Sequence, residues 1–230
     1  MVPKSELVIR PVPPHEESSA PPGAYLPAAA DGSRPAIYQI NLYRPEQQPR
    51  ALLEDIAFHE TIPGHHLQAS VNARRPQAHP ITRYLSFTVV AEGWAVYAER
   101  LADEMGLYSS DLHRLGMLSA LAHRAARLVV DPGLHALGWT RQQAVDYMTR
   151  HTLLAPHVVE SEIDRYIVTP GEATAFIVGY QEILRLRARA RQELGDDFDV
   201  AVFHDVILAD GAVTLPMLRL KVERWIASLR

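Results

Sequence analysis

From Ala51 onward, apolar side chains recur at spacings of three and four, the period of a helix with one buried face. Leu52, Leu53, Ile56 and Ala57 set this pattern, and Pro49 is placed to open the first turn. A polar loop follows over 72–80, and a second helix is predicted through Glu92 to Met105. Ser110-Asp111 opens a third, in which Leu112, Leu115, Leu118 and Leu121 run towards Val130, until Asp131-Pro132-Gly133 interrupts it. Thr140 with Gln143 three residues later has the form of a capping box for a fourth. Further helices are expected over 157–167, 171–194 and 199–208, and from Leu215 to the end.

Ahead of Arg50 the pattern changes. Ten of the seventeen prolines fall there, which breaks any helical period and predicts an extended arm without a core of its own. Within it, Ser33 to Leu42 alternates like a strand. The expected fold is all-α: an irregular helical bundle over 51–230, preceded by an extended Pro-rich arm over 1–50 with at most a short β-hairpin.

Composition narrows the function. With 230 residues, 47% hydrophobic, 22% charged and a net charge of -4, the chain is long enough to bury a sizeable core. Its Lys and Arg form no basic stripe, and the run Arg185 to Arg191 lies at helical spacing among Leu and Ala as a solvated face, so no nucleic-acid partner is expected. Met1 to Val12 carries charges and prolines with no continuous apolar stretch, unlike a signal or a membrane anchor. Cytoplasm is the expected compartment, although a longer parent protein could carry an export signal. No cysteine is present, so any metal must take nitrogen and oxygen ligands.

The chemistry concentrates in His59-Glu60-Thr61-Ile62-Pro63-Gly64-His65-His66. In the zinc-protease signature, two His at i and i+4 share a helix face, and the intervening Glu activates water. Here Pro63 occupies i+4. On a regular helix His65 points about 120° away from His59, and His66 lies about 10 Å further along the axis, so neither could share a metal with it. A Pro-Gly pair is where a helix kinks or takes up extra residues in a π-type bulge. Two inserted residues would make His65 the equivalent of the usual second ligand, with His66 as the other candidate. The plainer alternative is a helix C-terminus stopped by Pro-Gly. Glu92 follows His65 by a little under thirty residues, the separation at which gluzincin hydrolases take a third ligand from a Glu on a following helix. Glu99, seven residues on, shares its face and could support a ligating imidazole.

His59 to Gln68, Glu92 to Glu99 and Arg127 to Trp139, with Arg165-Tyr166, Pro170 to Ala173 and Phe203 to Asp205, resemble the bacterial family known as domain of unknown function 885, over nearly the whole chain. The resemblance implies an all-helical zinc peptidase of the gluzincin kind, related in shape to carboxypeptidases and to oligopeptidases of the angiotensin-converting-enzyme type. Family members are longer, and this chain looks like their metal-carrying C-terminal half. A homo-oligomer or a partner chain would then supply the missing wall of the cleft. After Pro170-Gly171 the family pattern reads Gln-Ala-Leu-x-Tyr-Lys, whereas Glu172 to Ile177 here lacks that phenol and ammonium, which implies altered specificity or a damaged site.

The expected activity is a zinc-dependent metallohydrolase acting on a peptide or small amide. One zinc per chain would be held by His59, His65 and Glu92, with Glu60 as general base. His135, after its Pro-Gly turn, and Tyr166, beside Arg165, are candidates to stabilise the oxyanion. Arg165 could grip a substrate carboxylate, or pair with Glu162 or Asp164. Arg127 and Asp131, four apart, would pair behind the site. His204 reads as structural. A strand over 33–42 at the edge of a sheet would hold the substrate backbone. The alternatives are a catalytically impaired scaffold that binds without turnover, and a hydrolase of another ester or amide.

Overall fold

A computed structural model describes residues 5–18, 20–29, 31–73, 85, 87–211 and 213–230. The protein is mostly helical, with a small sheet at its N-terminal end. The helices are α1 (Leu53–Glu60), α2 (His65–Asn72), α3 (Thr88–Glu104), α4 (Asp111–Ala136), α5 (Arg141–His151), α6 (Pro156–Val168), α7 (Glu172–Leu194), α8 (Val200–Leu208) and α9 (Leu215–Ser228). Most of the loop expected over 72–80 lies outside the described residues.

The arm departs from expectation. In place of a hairpin it forms a three-stranded sheet, β1 (Leu7–Pro11), β2 (Gly23–Leu26) and β3 (Ala36–Ile40), in the order β1-β3-β2. β1 runs parallel to β3 and β2 antiparallel to it. Val12, Ala36, Ile37 and Tyr38 are buried, so the arm brings apolar residues to a core. The strand expected at an edge is the middle one, bonded on both sides, and offers no free backbone to a substrate. Gly23 allows β2 to sit against α1, since a Cβ there would lie 2.5 Å from Ile56 Cγ2.

The helical part is organised around α3 and α7. Their backbones touch where Gly93 meets Gly179: a Cβ on Gly179 would lie 1.7 Å from the Val89 carbonyl oxygen, and one on Gly93 would lie 2.5 Å from Gly179. Only residues without a side chain permit that approach. Around this crossing, Trp94, Tyr97, Ile183 and Leu186 form a core with Phe203 of α8 and with Leu218 and Val222 of α9. A second core joins Val130 of α4, Met148 of α5, Ile163 and Tyr166 of α6 and Ala173 of α7.

Two expectations about proline need correction. α4 does not stop at Asp131-Pro132-Gly133 but runs through Pro132 to Ala136. Gly133 serves packing, since a Cβ there would strike the Trp139 ring at 2.6 Å, and the chain leaves α4 through Gly138, two residues past its end, whose φ of +69° suits a left-handed C-terminal turn. At Pro63 the helix does not bulge but ends, as the plainer alternative of a Pro-Gly stop has it. α1 ends at Glu60, the chain turns through 61–64 with a cis Ile62-Pro63 peptide, and α2 begins at His65. Pro63 has no N–H to continue the ladder. Gly64 lies so close to the end of α1 that a Cβ would fall 1.9 Å from the His59 carbonyl oxygen. The capping box at Thr140 and Gln143 is present as expected.

Replacing Gly179 by Ala should push α3 and α7 apart. Overpacking of this kind destabilises by about 1–3 kcal/mol or more, and a fall of several degrees in the thermal midpoint, read by circular dichroism, is the expected outcome. An unchanged midpoint would contradict the tight crossing.

Candidate metal centre

The break at Pro63 brings the donors together. α2 folds back against α1, and the His59 and His65 rings meet edge to face with centroids 4.8 Å apart. α3 supplies the third group: Glu92 Oε2 stands 3.2 Å from His59 Nε2 and 3.5 Å from His65 Nε2. One ligand atom from each of the three lies within 4.8 Å of the others. Bonds of 2.0–2.2 Å to a tetrahedral ion would separate neighbouring donors by about 3.4 Å, so the two spacings to Glu92, which serve here as a hydrogen bond and an ion pair, are also ones that a single ion could bridge.

His66 turns elsewhere. It is buried, with Nδ1 3.1 Å from the Tyr25 hydroxyl of β2, so of the two adjacent histidines His65 is the one that faces Glu92. Tyr25 also stacks on His65 at 6.5 Å. Trp94, two residues after Glu92, donates its indole N–H to the Pro63 carbonyl at 3.0 Å and ties the turn that presents His65 to the helix that presents Glu92.

A layer of buried charge supports these donors. A carboxylate only accepts, so His59 Nδ1–H donates to Glu99 Oε1 at 2.6 Å, which leaves Nε2 directed at Glu92 and His65. Arg124 of α4 donates to the other Glu99 oxygen at 2.7 Å. Beneath lies Asp55, which accepts from the Tyr108 hydroxyl at 3.1 Å, while its second oxygen has no hydrogen-bond partner. Burial, reinforced by the Glu99 charge, raises the Asp55 carboxyl to about 7 against the pull of Arg124 and His59. Burial opposes protonation of His59, but its bonds to Glu92 and Glu99 outweigh it and hold the imidazole at about 9. Glu92 is held well below the carboxylate range, because the two imidazoles overcome its desolvation. Glu60 is raised chiefly by burial, partly offset by both imidazoles and by the backbone N–H of Tyr25 that its carboxylate accepts.

The remaining predicted residues lie outside this cluster. His135 has Nε2 2.9 Å from the Tyr166 carbonyl oxygen and is a structural contact between α4 and α6. Tyr166 is fully buried; its hydroxyl donates to Glu162 at 2.6 Å and accepts from Arg127 Nε at 2.8 Å, and neither it nor His135 shares a hydrogen bond with His59, His65 or Glu92. Arg165 pairs with Glu162 at 3.0 Å, the structural alternative, while Asp164 binds Arg141. Arg127 and Asp131 do not pair: Arg127 binds Glu162, and Asp131 accepts the Gly171 N–H at 2.9 Å, holding the start of α7. In the divergent segment, Phe176 packs under the Arg127 guanidinium at 5.0 Å. His204 is structural as expected, 2.8 Å from the Tyr97 hydroxyl. Arg124, Asp55 and Tyr25 are the participants that sequence reasoning missed.

In metal-free protein the His59 imidazole should titrate near 9, remaining charged at neutral pH, and Glu99→Gln should lower that value. Histidine ring NMR across pH 5–10 reads both. A His59 titration near the ordinary value of about 6.5 would contradict the carboxylate clamp.

Residues 1–222 match the model of a family described as bacterial protein of unknown function (DUF885). Among solved structures, a candidate lipoprotein from Colwellia psychrerythraea aligns with a TM-score of 0.95 and 40% identity, covering 99% of this chain and 39% of that one. A candidate lipoprotein of unknown function from Shewanella oneidensis aligns with a TM-score of 0.82 and 24% identity, covering 96% of this chain and 41% of that one, and bears on the fold alone. The chain thus spans about two fifths of the length of each. No curated protein matches it.

Proposed function

The chain belongs to the bacterial DUF885 family, and from that premise we propose that it carries the metal centre of a gluzincin-like zinc hydrolase that cleaves peptides or small amides. The observation that carries this reading is the donor set of His59, His65 and Glu92, within reach of one ion and backed by Glu99. The cluster favours a cation. Glu92 and Glu99 share one buried guanidinium, that of Arg124, while Glu60 stands by the two imidazoles, and two imidazoles and a carboxylate are the ligand types zinc takes. Zinc, once bound, would supply Lewis acidity, acidifying a water molecule and polarising the scissile carbonyl.

The chain's own residues do the rest. Glu60 precedes the bend at Thr61, and burial moves its carboxyl towards the pH at which a general base works best. It takes a proton from the attacking water and delivers it to the leaving nitrogen. Glu99 and Arg124 fix the His59 ring so that Nε2 points at the ligand position.

A second reading is a metal-binding scaffold without turnover. Its support is that both expected oxyanion donors, Tyr166 and His135, are already engaged. The relative from Colwellia psychrerythraea is named as a candidate lipoprotein; carried over, that name would place this protein outside the cytoplasm.

Glu60→Gln distinguishes the two readings. On a peptide library with zinc-loaded protein, the hydrolase reading predicts cleavage by wild type and a loss of about 10²–10⁴-fold in the variant, with zinc content unchanged. No cleavage by wild type, or equal cleavage by both proteins, would favour the scaffold.

A further inference from the structure

The two imidazoles of the candidate centre are held in different ways. His59 is oriented through Nδ1 by the Glu99 carboxylate, the kind of partner that a ligating imidazole ordinarily has on its far nitrogen. His65 directs Nε2 at Glu92, and among the described residues no carboxylate, carbonyl or hydroxyl bonds its Nδ1. Its ring is packed instead. The His59 ring meets it edge-on with centroids 4.8 Å apart, and the Tyr25 ring lies along it at 6.5 Å with 24° between the planes. Both contacts fall in the range of about 4.5–7 Å over which aromatic rings attract.

Tyr25 is itself fixed at both ends. In β2, Gly23 stands opposite Ile40 and Tyr25 opposite Tyr38. The Asn41 N–H bonds the Pro22 carbonyl, which makes Gly23 and Ile40, and by alternation Tyr25 and Tyr38, pairs whose backbone groups point away from each other. Because β2 is an outer strand, the Tyr25 N–H faces out of the sheet, and the Glu60 carboxylate accepts it. At the other end, the Tyr25 hydroxyl meets His66 Nδ1 at 3.1 Å. His66 also donates to the Ser5 backbone carbonyl, which commits its N–H there and leaves Nδ1 to accept from the hydroxyl. Glu60 ends α1 and His66 lies in α2, so the two anchors stand on either side of the turn that presents His65.

We propose that Tyr25 is the positioning residue for His65: spanning from Glu60 before the Pro63 turn to His66 after it, Tyr25 holds the His65 ring with Nε2 towards Glu92. This role rests on the reading of His59, His65 and Glu92 as zinc ligands. It makes the N-terminal sheet a working part of the centre, since the strand that carries Tyr25 does for His65 what Glu99 does for His59.

Zinc affinity of the 230-residue protein, measured by competition with a chromophoric chelator, tests this. Tyr25→Ala should bind zinc about 10–100-fold more weakly than wild type, the loss that follows removal of an outer partner of a ligand. Tyr25→Phe keeps the ring and the backbone N–H and should stay closer to wild type than to Tyr25→Ala. Ser70→Ala removes the 2.6 Å contact between the Ser70 and Ser5 hydroxyls, which also ties the arm to α2 but touches no zinc ligand, and should leave the affinity unchanged. Equal affinity of wild type and Tyr25→Ala would overturn the positioning role while leaving the ligand assignment standing. An equal loss in Ser70→Ala would overturn it too, because any loosening of the arm would then suffice. No zinc uptake by wild type would overturn the positioning role and the ligand assignment together. Circular dichroism establishes that each variant is folded; should Tyr25→Ala not fold, Tyr25→Leu, which keeps apolar bulk on the strand but no ring, takes its place with the same expected loss.

Discussion

The contact between Gly93 and Gly179 is the constraint on which the candidate centre depends. It lets α3 and α7 approach backbone to backbone, and α3 is the helix that equips the site. On either side of Gly93 stand Glu92, which faces both imidazoles, and Trp94, which holds the Pro63 carbonyl. Two turns further on, Glu99 grips His59 from behind. A single helix thus fixes one donor, orients the second and anchors the turn that presents the third. Displacing it would disturb all three together.

Stability and chemistry pull against each other beneath that helix. Asp55 and Glu99 are each 1% exposed, and removing a carboxylate from water costs several kcal/mol before any partner repays it. Arg124 repays part of that for Glu99, but one Asp55 oxygen stays without a hydrogen bond and its carboxyl rises to about 7. A core selected for stability alone would replace these groups with apolar ones. Strongly perturbed titratable groups gathered around convergent donors are instead characteristic of functional sites. The excess of carboxylate also explains why His59 binds its proton so firmly without a metal.

Much of the helical pattern was legible in the sequence, because amphipathic period and capping chemistry are local. Thr140 with Gln143 specified its own helix start, and the spacing of His59, His65 and Glu92 was enough to propose a cluster. What failed was the interpretation of Pro-Gly pairs, whose effect depends on what packs beside them. At Pro132-Gly133 the Trp139 ring takes the space above the glycine and α4 continues; at Pro63-Gly64 the His59 carbonyl takes it and the chain turns back. Partner choice was equally illegible. Arg127 and Asp131 sit at ideal spacing for a pair, yet each finds a partner on another element, Glu162 of α6 and the Gly171 N–H before α7. Arg124, Asp55 and Tyr25 join the site only through tertiary packing, and the position of β3 within its sheet is set by β1, which local alternation does not reveal.

The most direct test of the central claim is metal content by elemental analysis of protein purified without chelator or histidine tag, comparing wild type with His65→Ala, His66→Ala and Glu92→Ala. The proposed centre predicts about one zinc per chain in wild type and in His66→Ala, and loss of the metal in His65→Ala and Glu92→Ala. Wild type that takes up no zinc even when it is supplied, or retention of zinc by His65→Ala with loss in His66→Ala, would contradict the assignment of His59, His65 and Glu92 as the metal centre.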